Sequence, residues 1–382
     1  MKVVYALVAV AALLTLPVVA AQQPGLRPLF GTVVPYVALA LFVGGLSYRV
    51  VTWARSPVPF RITTTCGQQK SHDWIKHDEL ENPTTLAGVI GRMALEVLFF
   101  RSLFRNTSAE IYQGRLVYGS TKWLWLAGLA FHWSFLVVLL RHLRFFAEPV
   151  PGFVLGIQAV DGFMEIGVPA VYVTGVILLL AVTFLFFRRV VSPGLRYLSL
   201  PSDYFPLFLI GSIAATGILL RHFIRTDIVS VKELAMGLVT FQPAVPEGVH
   251  PLFFGHLFLV CVLFAYLPFS KLTHMAGVFL SPTRNLANNN RLVRHINPWA
   301  RPAKIHSYEK YEDEFRDKMI QVGIPVERET AEEKPKKKAK ADEKAKADEK
   351  AKAAEKPEAD SKAKADEASE ADPDAPAEKE EK

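Results

Sequence analysis

Long apolar runs separated by strongly charged segments dominate the chain. Six runs stand out, at residues 3–20, 29–46, 124–141, 164–187, 204–220 and 251–270. A helix rises ~1.5 Å per residue, so about 20 apolar residues cross the ~30 Å hydrocarbon core of a bilayer. The pattern therefore predicts an all-α fold, a polytopic transmembrane helical bundle of five core spans plus an N-terminal segment, with the last helix continuing past His274. The first run reads two ways. Met1-Lys2, an apolar stretch and Val18-Val19-Ala20-Ala21-Gln22 fit a cleaved signal peptide almost as well as a retained span. The second run begins outside in either case.

Four regions follow from the pattern: residues 1–21 as N-terminal span or signal, and 22–280 as the membrane domain, with a cytoplasmic insertion at about 47–122. Beyond these come a cytoplasmic extension at 281–326 and a low-complexity charged tail at 327–382. The tail repeats Ala-Lys-Ala-Asp-Glu-Lys with no apolar face, so it is expected to stay disordered. Within the insertion, 86–105 mixes charged and apolar residues. Ile90, Met93, Ala94, Val97 and Leu98 share one face, with Arg92 and Glu96 off it, which fits an interfacial helix or one packed on a soluble partner.

Charge orients the bundle. The formal net charge of +7 is concentrated where it flanks apolar runs, so it reads as a topology signal and not as a nucleic-acid footprint. The insertion, the segment with Arg188, Arg189 and Arg196, and the lysine-rich tail all fall on one side when the spans alternate. That side is expected to be the cytoplasm, which places the chain in the cytoplasmic membrane of a bacterium or archaeon. Arg141, Arg144, Arg221 and Arg225 sit at span edges on the other side, where an anionic group would hold them. Two cysteines, Cys66 and Cys261, cannot build an iron–sulfur cluster, a zinc site or a disulfide framework. Cys66 reads as a surface or interface thiol and Cys261 as packing. Redox chemistry would have to use histidine.

Four of the ten histidines sit two apiece on two apolar runs or their ends: His132 and His142 on one, His256 and His274 on another of opposite direction. An imidazole in hydrocarbon is costly, which makes each a functional candidate, and neutral imidazole is the usual axial ligand of low-spin haem iron. Pairing by depth joins His132 with His274 on the cytoplasmic side and His142 with His256 on the outer side, as ligands of two b-type haems. Helix geometry supports this in part. Eighteen residues return His256 and His274 to one face, whereas ten leave His132 and His142 roughly 80° apart. The rises, ~15 Å against ~27 Å, agree only if the last helix tilts or bends at Pro268. A histidine-lined transporter is the competing class, but the sequence lacks its usual repeats and broken midplane helices.

At these residues the chain resembles the NarI-like family, the cytochrome b subunits of respiratory nitrate reductases and their relatives. Both histidine spacings match, as do Phe131-His132-Trp133 and Pro268-Phe269-Ser270-Lys271-Leu272-Thr273-His274. Arg141 departs from the small residue common before that histidine. Within the family, Thr64-Thr65-Cys66-Gly67-Gln68-Gln69, Ser281-Pro282-Thr283-Arg284-Asn285-Leu286 and Asn288-Asn289-Asn290-Arg291 resemble the DsrM branch. That resemblance implies a di-haem cytochrome b oxidising menaquinol and passing electrons to a cytoplasmic iron–sulfur subunit of the DsrK type. Companions like DsrJ, DsrO and DsrP are implied, and the final acceptor is the trisulfide of DsrC. A subunit serving a nitrate reductase or heterodisulfide reductase is the alternative within the family.

Quinol oxidation releases two protons, so groups near the outer haem must accept them. His222, Asp161 and Glu165 are the candidates; Asp161 capping its helix and Glu165 pairing with an arginine are the plainer readings. The echo of Leu139-Leu140-Arg141-His142 in Leu219-Leu220-Arg221-His222 makes Arg141 and Arg221 candidates for haem propionates, against ordinary headgroup snorkelling.

Overall fold

The computed structural model describes residues 1–56, 67–163, 170–281, 284–289 and 306–327. It divides into two units, residues 1–301 and 302–382. In the first, α1 (Lys2–Ala20) is followed by a short turn and α2 (Val34–Ala54), then α3 (Leu86–Phe99) and α4 (Arg101–Arg105). A hairpin of β1 (Thr107–Tyr112) and β2 (Arg115–Ser120) leads into α5 (Lys122–His142) and α6 (Gly152–Phe163). Next come α7 (Val173–Val191), α8 (Pro193–Leu198), α9 (Pro201–Ile218) and α10 (Ile228–Val239). The unit closes with α11 (Pro251–Tyr266) and α12 (His274–Gly277). The second unit contains α13 (Tyr308–Gln321), opened by Ser307 and holding Glu312 buried against the Glu327 amide.

Among the described residues, six helical segments are long and apolar enough to cross a membrane: Lys2–Ala20, Pro24–Ala54, Lys122–Phe145, Val173–Val191, Pro201–Phe223 and Pro251–Phe269. Their outward faces carry exposed Leu39, Val43, Leu126, Leu136, Leu180 and Phe184, an apolar exterior suited to lipid. Inside, α5 packs on α7, α7 on α9, and α9 on α11, while α1 and α2 pack against α11. Lipid gives helices no hydrophobic reason to associate, so close approach at small residues matters most. At Gly255 a β-carbon would stand 2.6 Å from Val18 of α1, and at Gly45 it would stand 2.7 Å from Pro268. The core between them is Val10, Leu178, Val182, Leu209, Ile210, Leu259 and Leu263.

Several expectations need correction. The fourth span begins at Val173, not at residue 164; the separate helix α6 ends at Phe163, and residues 164–169 lie outside the described residues. Asp161 consequently closes α6 and does not open the fourth span, and Glu165 lies outside the described residues, as does Cys66. The last helix does not run continuously past His274. It ends at Tyr266, tightens at Leu267–Phe269, turns at an extended Ser270 and restarts at His274. Pro268 cannot donate a helical hydrogen bond, and Arg49 Nε donates to its carbonyl at 3.1 Å, which holds the bend.

The insertion also differs. The helix expected over 86–105 breaks at Phe100, whose φ of 51° is left-handed. Its apolar face is turned outward, with Ile90, Val97 and Leu98 exposed, while Arg92 is buried and donates to the Glu81 carbonyl. That is the arrangement of a helix whose apolar side meets lipid and whose polar side meets protein. Glu81 pairs with Arg101 and Arg105, and Glu96 with Arg284. Asn288 donates to Asn82 Oδ1 at 2.7 Å and to the Pro83 carbonyl at 2.8 Å, and Asn82 Nδ2 donates to the Gly67 carbonyl at 2.6 Å. Both asparagines are 1% exposed, so Asn82→Ala takes an acceptor from the Asn288 side-chain amide and a donor from the Gly67 carbonyl, a cost of about 1–3 kcal/mol. Trypsin is expected to cleave the insertion faster in that variant; an unchanged cleavage pattern refutes the clamp.

Candidate functional site

The insertion reaches the first histidine directly. The last carbonyls of α3 have no helical partners, and indoles of α5 satisfy two of them: Trp125 Nε1 donates to Phe99 O at 2.7 Å and Trp133 Nε1 to Leu98 O at 3.0 Å. This docking sets the Phe100 ring edge-on to His132, with centroids 4.9 Å apart, and Phe131 packs against the same imidazole from within α5.

His132 and His274 face each other. Their ring centroids are 6.0 Å apart and their planes nearly perpendicular, at 82°. Two imidazoles ligating one iron at ~2 Å each bring their centroids to roughly 6 Å. The bend at Pro268 makes this meeting possible, because it moves His274 off the α11 axis. His142 ends α5 and lies in the neighbourhood of His256 of α11.

Each of the four rings is held at one nitrogen. His132 Nδ1 donates to Gly128 O at 2.7 Å, His142 Nδ1 to Val138 O at 2.7 Å, and His274 Nδ1 to Lys271 O at 3.0 Å. His256 Nδ1 lies 2.9 Å from Thr216 Oγ1. The three carbonyl bonds fix the tautomer that presents a bare Nε2, the form in which histidine coordinates metal. Among the described residues, no three or more His, Cys, Asp or Glu side chains gather to cage a bare metal ion. The donor set is paired imidazoles, which suits axial haem ligation.

A second constellation lies near Arg141. Its guanidinium stacks on the Tyr172 ring at 3.7 Å and pairs with Asp161. Asp161 is 4% exposed and also accepts from the Thr174 amide at 3.1 Å and the Thr174 hydroxyl at 2.6 Å. On the far side of Tyr172, Arg221 Nη2 donates to its hydroxyl at 3.4 Å, and the His222 ring meets it edge-on at 5.0 Å. His222 and Arg221 belong to a π-type turn, Leu219–Phe223, which follows α9 and turns both outward. With Arg225 and Asp227 they line a cleft of about 540 Å³. Asp227 caps α10, where the Ser230 hydroxyl and the amides of Val229 and Ser230 hold its carboxyl below the usual carboxylate range.

The sequence of residues 93–295 matches the nitrate reductase gamma subunit family. The chain belongs to that family. It is also 46% identical over 278 residues to the "Hdr-like menaquinol oxidoreductase cytochrome b-like subunit" of Archaeoglobus fulgidus, covering 71% of this chain and 83% of the relative. The protein of the same description from Archaeoglobus profundus is 45% identical over 272 residues, covering 69% and 81%. This nitrate reductase gamma-like chain is therefore a multi-pass membrane protein related to cytochrome b subunits, as its six spans imply.

Of the four predicted ligand histidines, His132 and His274 are brought face to face, whereas the proton-acceptor candidates separate. His222 lines the cleft, Asp161 is engaged by Arg141 and Thr174, and Glu165 lies outside the described residues. Arg221 borders the cleft; Arg141 is committed to Asp161. Sequence reasoning missed Tyr172, which lies between the two arginines, and Thr216. A threonine within an apolar span was the available signal for the latter.

Proposed function

We propose that the chain holds two b haems and carries electrons from menaquinol to a cytoplasmic iron–sulfur subunit. His132 and His274 are the axial pair at one end, His142 and His256 at the other. The observation that carries this reading is the 6.0 Å approach of His132 and His274, each with Nδ1 bound to a carbonyl and Nε2 left to coordinate. Bound b haem supplies reversible one-electron carriage. The names of the Archaeoglobus relatives support menaquinol as the reductant and a heterodisulfide-reductase-like complex as the setting, over a nitrate reductase.

Finer assignments belong to the same proposal. The chain is the DsrM-type subunit of a sulfur-metabolising complex, with a DsrK-like acceptor, companions of the DsrJ, DsrO and DsrP kinds, and DsrC trisulfide beyond. Its C-terminal tail faces the cytoplasm, where the basic segments gather. Quinol binds at the cleft beside Tyr172. His222 accepts a proton from the quinol hydroxyl, and Arg221 orients the bound ring through its bond to Tyr172 or faces a propionate. Asp161 holds Arg141 in place, and Asp227, already ionised by its cap, adds negative charge at the rim.

Purified full-length chain is expected to show about two b haems in a pyridine haemochrome spectrum, reducible by a menaquinol analogue. His222→Ala should keep both haems while slowing reduction by the analogue about 100-fold, the lower range for losing a general base. A folded preparation without haem, in cells that supply it, defeats the proposal.

A further inference from the structure

Three of the four histidines bond a carbonyl in their own helix or turn; His256 instead bonds across to α9, to the Ile213 main chain and to the Thr216 side chain. Its Nδ1 reaches across to Thr216 of α9, 40 residues away in sequence. Thr216 is buried, and its hydroxyl lies 2.7 Å from Ser212 O and 3.1 Å from Ile213 O. A threonine hydroxyl has one proton. That proton goes to the carbonyls of its own helix, so an oxygen lone pair remains to accept from His256 Nδ1–H. The neighbouring residue holds the ring from a second direction. A β-carbon at Gly217 would stand 3.3 Å from His256 Cε1, so the imidazole rests against bare backbone that a side chain would obstruct.

We propose that Thr216 and Gly217 are positioning residues that fix the tautomer, ring orientation and electron-donating strength of His256, and so set the reduction potential of the haem it ligates apart from that of the other. The proposal rests on the reading of His256 as an axial ligand. Its physical basis is that an acceptor on the distal N–H raises the basicity of a ligating imidazole and stabilises the more positive oxidised iron. At His132, His142 and His274 that acceptor is main chain, which no side-chain substitution removes. At His256 the side-chain hydroxyl of Thr216 joins the Ile213 main chain, both on a helix that carries none of the four histidines, so this potential is tunable by a single hydroxyl.

The test is a redox titration of the full-length protein in detergent, with electron paramagnetic resonance of the ferric haems. The relevant signal is the one lost in His256→Ala. In Thr216→Val, which keeps the shape but removes the hydroxyl, that haem should become easier to reduce. Its reduced-to-oxidised ratio at fixed potential should rise three- to tenfold, at most about 59 mV for a one-electron couple. Its low-field g value should move while the other haem stays at its wild-type potential. Thr216→Ser should restore both readouts, and Gly217→Ala should displace the same g value with Thr216 intact. Unchanged potentials and g values in Thr216→Val, equal shifts in both haems, or a serine variant that fails to restore them each overturn the proposal. A wild-type protein without haem overturns the ligand assignment beneath it instead, and is told apart because no signal then exists to shift.

Discussion

His256→Ala is expected to leave one b haem per chain instead of two, and His132→Ala the same, with the double variant binding none. In the proposed arrangement each imidazole would supply one of two axial bonds, and its partner could not hold a low-spin iron alone. The pairs are separate: His132 meets His274 across 6.0 Å, whereas His256 is held by Thr216 and neighbours His142. Loss of one pair therefore leaves the ligands of the other in place. The two single variants should differ in function. His256→Ala removes the haem nearer the Tyr172 cleft and should abolish reduction by a menaquinol analogue, although dithionite still reduces the remaining haem. His132→Ala should keep quinol reduction of the haem beside the cleft and lose delivery to a soluble acceptor. Haemochrome spectra and stopped-flow reduction, with circular dichroism to verify helix content, make the measurement. Two haems in either single variant would falsify the pairing.

The second large effect concerns Asp161. Its carboxylate is 2% exposed and holds Arg141, while also accepting from the amide and hydroxyl of Thr174. Asp161→Ala strands a guanidinium in a low-dielectric setting next to His142, and removing one partner of a buried pair costs about 3–5 kcal/mol. A marked fall in the thermal midpoint is expected, together with weakened retention of the haem ligated by His142. Asp161→Asn keeps an acceptor for Thr174 and should fall less. The double variant Asp161→Ala with Arg141→Met should recover most of the loss, since it removes the stranded charge. The opposite pattern, a stable Asp161→Asn that reacts slowly with quinol, would instead make Asp161 a proton acceptor.

These two sites differ in how far they were legible. The histidine candidates were visible because each is costly in or beside a long apolar run and two of the runs carry two apiece. Asp161 was visible as a carboxylate but placed on the wrong helix. Residues 152–187 are apolar almost throughout, and hydropathy has no means of marking where α6 ends and α7 begins. The partners that decide its role, Arg141 and Thr174, come from elements before and after it.

The same division runs through the molecule. The number of spans was legible because the bilayer's thickness imposes a length on every crossing helix, and a local apolar run reports that length directly. The haem-ligand candidates were legible because burial of an ionisable group violates the local pattern. Breaks in helices were not. Phe100 reverses its backbone where Trp125 and Trp133 draw the end of α3 onto α5, and nothing in its neighbouring residues announces that. Pro268 announced a bend, but its extent depended on Gly45 and Arg49 of α2. The sequence put Arg92 only off the apolar face, and its burial follows from its bond to the Glu81 carbonyl. Thr216 acquires meaning only when α9 packs on α11 and brings it to His256. Span count and ligand chemistry follow from each residue's own preference for oil or water, whereas bends, ion pairs and ligand orientation arise from contacts between residues tens to hundreds of positions apart, which no local pattern encodes.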